Sequence, residues 1–123
     1  MSKPVVTYRI EVEPDDNPVR GNCMASGDDA ADKAYEDEII RRLDNGEVWA
    51  WAVVKVVAEC EGFEGHDYLC GCTYKDEKDF IQGNDYYPDM KAAALADLLV
   101  EFEEAKKTGA RVDSLLKALR GEK

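Results

Sequence analysis

VWAWAVVKVVAEC, running from Val48 to Cys60, alternates in two registers at once. Val48, Ala50, Ala52, Val54, Val56, Ala58 and Cys60 fall on one side, and Trp49, Trp51, Val53, Lys55, Val57 and Glu59 on the other. A period of two in a run rich in β-branched and aromatic residues predicts a long strand. Its small, smooth side suits a sheet face on which helices press closely. The other side sets two tryptophans beside a lysine and a glutamate, so only partial cover is expected there. No catalytic signature accompanies the strand.

Upstream, Val5 to Glu13 alternates as well, with Val6, Tyr8, Ile10 and Val12 against Thr7, Arg9, Glu11 and Glu13. This predicts a half-buried strand, ended by Pro14-Asp15-Asp16-Asn17-Pro18 because proline has no N–H for the ladder. Ser26-Gly27-Asp28-Asp29 then has the form of a helix start, with Ser26 as N-cap and Asp29 at the capping-box position. Ala31, Tyr35, Ile39 and Leu43 make an apolar stripe, and Asp28, Asp32 and Glu36 an anionic one at the same spacing. Asn45-Gly46 supplies a left-handed stop, so the helix runs roughly from Gly27 to Asp44.

Downstream, Gly62-Phe63-Glu64-Gly65 reads as a hairpin link turning at Phe63-Glu64, with a second strand from His66 to Tyr74. Residues 75–83 are charged and read as a loop with a helical turn around Phe80 and Ile81. Asn84-Asp85-Tyr86-Tyr87-Pro88 leads into the strongest helix, with Met90, Ala94, Leu95, Leu98, Leu99 and Phe102 inside and Lys91, Asp97, Glu101 and Glu104 outside. Thr108-Gly109 breaks it, and Val112, Leu115, Leu116 and Leu119 mark a short final helix. The order β-α-β-β-α-α predicts one α+β domain over residues 1–123. Helices would cover one face of a small antiparallel sheet of about three strands. The final segment is expected to dock on this core; a homodimer contact is the alternative.

The 123 residues carry 16 Lys and Arg against 27 Asp and Glu, a net charge of -11. Such a balance argues against direct nucleic-acid binding, which rests on cations displacing counterions, and against anionic membranes. The start of the chain lacks the apolar run of a signal peptide, and no window approaches a membrane span, so a cytoplasmic protein with reduced thiols is expected.

Cys60, His66, Cys70 and Cys72 are the one local cluster with zinc-type ligands. Cys70-Gly71-Cys72 has a single intervening residue where a zinc knuckle has two to four. With the turn at Phe63-Glu64, Cys60 would also face away from the other two. Thiolate chemistry is disfavoured by Glu59, Glu61, Glu64 and Asp67 nearby. No catalytic residue, metal or cofactor is therefore assigned, and a zinc- or thiol-dependent module stands as the alternative. Trp49 and Trp51 suit a recognition platform; the plainer reading has residues 75–87, with Tyr86 and Tyr87, covering them.

Between Glu11 and Glu47 twelve acids face four cations, so this third of the chain carries -8. Carboxylates on successive helical turns lie about 6 Å apart, within the range of phosphate spacings along a nucleic-acid strand. Glu11, Asp15, Asp16, Asp28, Asp29, Asp32 and Glu36, with Trp49 and Trp51, are thus the candidate partner-binding residues. The plain alternative is a solvated helix face.

With YRIEVEPDD (Tyr8 to Asp16) and EDEIIRRLDNGEVWAW (Glu36 to Trp51), the chain resembles the small acidic orphan proteins of phages and mobile genetic elements. Size, charge and α+β layout carry the resemblance. Several such proteins are anti-CRISPR or anti-restriction factors that block a host nuclease, often by imitating nucleic acid. The resemblance implies a non-enzymatic inhibitor that binds a basic, nucleic-acid-handling host complex.

Overall fold

The computed structural model describes residues 4–23, 26–83 and 86–121; Met1 to Lys3 and the Asn84-Asp85 lead-in lie outside them. In chain order come β1 (Thr7–Pro14), α1 (Asp29–Asp44), a 3-10 turn (Val48–Ala50), β2 (Ala52–Cys60), β3 (Phe63–Cys72), α2 (Glu77–Gln82) and α3 (Tyr86–Arg120). The strands form one antiparallel sheet in the order β1-β2-β3. The α+β class and the β-α-β-β-α-α order are those expected.

The central strand works as its composition dictates. Val54, Val56 and Ala58 are fully buried against Phe80, Met90, Ala94 and Leu98, so the small side of β2 lies under α3. Each fully buried Val, Leu or Phe contributes roughly 1.5–3 kcal/mol. Gly65 on β3 brings the helix closer still. A Cβ there would stand 2.2 Å from both Ala94 O and Leu98 N, so the two backbones rest directly on one another. Asp97, expected to face solvent, instead accepts the His66 N–H at 2.8 Å and ties α3 to β3.

Several boundaries differ from those predicted. The strand begins at Ala52, because Val48–Ala50 winds into a 3-10 turn, and the alternation of side chains stops there. The hairpin turns at Glu61-Gly62, both left-handed (φ 53° and 83°), rather than at Phe63-Glu64. That two-residue form matches the twist of the flanking strands, and it sets Cys60 opposite Phe63. Further along β3, Cys70 and left-handed Gly71 (φ 65°) stand against Val53 alone, a bulge that restores Cys72 to the α3 side opposite Ala52. The helical turn around Phe80 is α2, capped by Asp76, which accepts the Asp79 N–H at 2.8 Å.

α1 starts at an Asp28 N-cap rather than Ser26, and Gly46 (φ 83°) gives the left-handed stop. Ile39 seats in a second small core with Val19, Ala50 and Trp51, while Tyr35 is largely exposed. α3 does not break at Thr108-Gly109. One interior glycine costs only about 0.5–1 kcal/mol, and its Lys, Ala, Arg and Leu neighbours favour helix. All described residues from Lys106 onward are exposed, so the last turns project from the body instead of docking on it. Leu99, placed inside by its spacing, is 56% exposed. Among the described residues no helix is long and apolar enough to cross a membrane.

Candidate functional site

The carboxylates of the acidic stripe of α1 hydrogen-bond within the chain itself. Asp28 accepts the Ala31 N–H at 3.1 Å as the helix cap. Asp32 accepts from the Ser26 backbone N–H (3.1 Å) and hydroxyl (2.6 Å). Glu36 is buried; it accepts the Gly21 N–H at 2.9 Å and stands 3.5 Å from Arg20. Period four places these carboxylates on one face, where Glu36 and Asp32 satisfy the amide hydrogens of Gly21 and Ser26 ahead of the helix and Asp28 caps the helix itself. Their outer neighbours are matched too, Asp37 by Arg20 and Lys33, and Glu38 by Arg41. Arg20 and Arg41 hold the Asp37 and Glu38 carboxyls below their ordinary values.

Asp15 is also structural. Its carboxylate accepts the Asn17 N–H at 2.9 Å and, across the sheet, the Gly71 N–H of the bulge at 2.8 Å. Asp16 and Asp29 are exposed and form no ion pair or hydrogen bond through their carboxylates among the described residues.

Trp49 lies within the 3-10 turn and Trp51 follows it, and the two pack in different cores. Trp51 is 4% exposed, and its Nε1–H donates to Asn17 O at 2.8 Å. Trp49 lies 5.9 Å from Phe80 and meets Tyr74 edge-on at 6.4 Å, and Tyr87 in turn meets Phe80 edge-on. Tyr74 and Phe80 of the chain itself thus pack against it.

What remains uncovered is the far side of the sheet. In register across the three strands stand Arg9, Val57 and His66, flanked by Glu11, Lys55 and Tyr68 on one side and Thr7, Glu59 and Glu64 on the other. Arg9 reaches from β1 over β2 to β3. Its guanidinium meets Glu11 at 2.8 Å, Glu59 at 3.1 Å and Glu64 at 2.7 Å, one carboxylate from each strand. Val57 is fully buried beneath this span although no helix covers it, because long charged side chains shield apolar surface with their stems.

Arg9 keeps the Glu11 and Glu64 carboxyls below their ordinary value through its hydrogen bonds, so both stay ionised near neutral pH. Lys55 adds a 3.6 Å contact to Glu11 and lies 5.7 Å over the Tyr68 ring. Glu13 completes a shallow depression of about 250 Å³ with Val53, Lys55 and Tyr68. Four carboxylates thus oppose two cations around a half-exposed tyrosine. The sequence held the signal for this face: the outward residues of β1, β2 and β3 are charged in all three strands.

The four zinc-type ligands are not assembled. Cys60 sits at the turn end of the hairpin, eight residues along β2 from Ala52, the partner of Cys72; at about 3.3 Å per residue that is roughly 26 Å. His66 is on the uncovered face, 3.4 Å from Glu64 Oε1. Cys70 and Cys72 do share a cleft of about 280 Å³, and Cys23, which sequence reasoning left aside, lines it with them. Burial raises the Cys72 thiol to about 11 and shifts Cys23 upward, so these two are held as thiols. Among the described residues no three His, Cys, Asp or Glu side chains are grouped to hold a metal.

Compared with protein-family models, curated proteins and solved structures, the chain matches none.

Proposed function

We propose that the protein is a non-enzymatic interaction module whose acidic body docks on a basic, nucleic-acid-handling protein complex, as an anti-CRISPR or anti-restriction inhibitor would. The observation that carries this reading is the uncovered sheet face, where Glu11, Glu59 and Glu64 share a single arginine. With Glu13, four carboxylates stand against Arg9 and Lys55 and leave negative charge over, which a partner's Lys or Arg side chains would meet. Charge of this kind steers association and selects partners of opposite sign.

Glu11 and Glu13 form the margin of this face along β1, and Tyr68, 55% exposed, supplies an aromatic anchor of the type common at interface centres. Of the acids first singled out, Glu11, Asp16 and Asp29 remain available to a partner. Asp15, Asp28, Asp32 and Glu36 are occupied with backbone amides of the chain itself.

The test is capture from a bacterial lysate on immobilised protein, eluted with rising salt and, separately, with duplex DNA. Capture of nucleic-acid-binding proteins that both salt and DNA release supports the reading. Bound proteins that DNA cannot displace, or no salt-dependent capture, contradict it.

A further inference from the structure

The projecting end of α3 differs in charge from the rest of the chain. Residues 1–105 hold 25 acids and ten cations, a net of -15, while residues 106–123 hold two acids and six cations, a net of +4. This basic segment is also amphipathic. Val112, Leu115 and Leu116 are each more than 40% exposed, and Leu119 is 84% exposed. A helical arm of this length, carrying Gly109 and no packed face, has little intrinsic stability in water. Its apolar stripe calls for cover.

The same helical face continues down onto the body. Stepping back from Leu119 by three and four residues gives Leu116, Val112, Gly109, Thr108 and Ala105. The last four line a groove of about 570 Å³ beside Phe63, rimmed by Glu101 and Glu104. Phe63 is held there by Phe102 at 4.8 Å between ring centres. Small residues with an acidic rim form the lower half of the stripe; large leucines with basic neighbours form the upper half. The two halves are complementary to each other, and one chain cannot fold its own straight helix back to join them.

We infer that the groove's occupant is the arm of a second copy of this chain, the two α3 helices running antiparallel and crossing at Val112. In that register Leu119 of one copy enters beside Ala105 of the other, Leu116 meets Thr108 and Gly109, and Arg120 stands by Glu104. Arg111 faces Asp113 near the crossing. Every contact occurs twice, as a closed two-fold interface requires. Parallel pairing would instead set basic arm against basic arm. The assembly leaves the uncovered sheet face free, so it stands independently of the proposed partner.

The full chain is examined by sedimentation velocity and by light scattering over a wide concentration range. A species of twice 13.8 kDa is expected. Leu116→Asp with Leu119→Asp should return it to a monomer that keeps the near-ultraviolet circular dichroism of the folded body, since both residues lie outside the core, while the uncovered arm loses helix. Glu104→Arg should weaken the dimer roughly tenfold, and adding Arg120→Glu should restore it. A monomer at every concentration overturns the inference, as does a dimer indifferent to the leucine changes. A dimer that needs the leucines but is not rescued by the charge exchange overturns the antiparallel arrangement.

Discussion

The backbone N–H of Gly21 donates to the Glu36 carboxylate at 2.9 Å, and this bond turns the acidic side of α1 toward its own chain. Glu36 is 8% exposed and has Arg20 beside it, so its removal leaves the Gly21 amide without its acceptor and Arg20 with Asp37 alone. Glu36→Ala is predicted to lose roughly 1–3 kcal/mol in urea unfolding. Asp29→Ala, on the same helix but unpaired, should change stability by no more than about 0.5 kcal/mol.

Some of this architecture is legible in residue order, and some is not, for identifiable reasons. Ala52 to Cys60 reads correctly because small and β-branched residues alternate without interruption on the side that α3 covers. The same alternation extends through Val48 to Trp51 in letters only. There the chain turns in a 3-10 coil, and Trp49 and Trp51 part company. Asp28, Asp32 and Glu36 share a face, as their spacing says, but spacing carries no information on whether that face meets solvent or a loop. Gly109 reads as a break because glycine is a poor helix former, yet its penalty is small against the helix-favouring residues around it. The uncovered sheet face was visible residue by residue, while its assembly depended on Arg9 crossing two strands, which no local pattern reveals.

Gly65 has no room for a side chain. The Cβ of Gly65→Ala would fall 2.2 Å from backbone atoms of Ala94 and Leu98, so α3 must move off the sheet. The expected cost is roughly 3 kcal/mol or more, read as a lower urea midpoint. Gly109→Ala, in open space within a single chain, should raise the helicity of the arm in the monomeric Leu116→Asp, Leu119→Asp background, stabilising its helix by about 0.5–1 kcal/mol.

Acid should weaken the fold through Arg9. Its hydrogen bonds lower the Glu11 and Glu64 carboxyls below their ordinary 4.5, so their contribution is fully present above that value. It is lost as pH falls through the lowered folded values. Thermal midpoints measured from about pH 6 to about pH 3 should therefore decline, less steeply in high salt, which screens such exposed pairs. In Arg9→Gln the part of the decline owed to Arg9 should disappear, leaving the part owed to Lys55 beside Glu11 and His66 beside Glu64.

The thiols should react in order of exposure. Cys70 is exposed, Cys23 half-buried, and Cys60 and Cys72 buried. Iodoacetamide followed by peptide mass analysis should label Cys70 first and spare Cys60 and Cys72 until denaturant is added. Cys72, its thiol held up at about 11, should stay unlabelled in the folded protein at mildly alkaline pH. Early labelling of Cys72 would contradict its placement under α3.

Acids around the uncovered sheet face, and not the α1 stripe, are proposed to attract a basic partner. The most direct measurement compares salt-graded capture from lysate by the natural chain, by Glu13→Lys, and by Glu36→Gln. Glu13→Lys reverses an exposed acid at the edge of that face and leaves the core untouched; it should retain roughly a tenth of the captured protein. Glu36→Gln, at a buried position of α1, should capture as the natural chain does. Equal capture by the natural chain and Glu13→Lys would contradict the proposal.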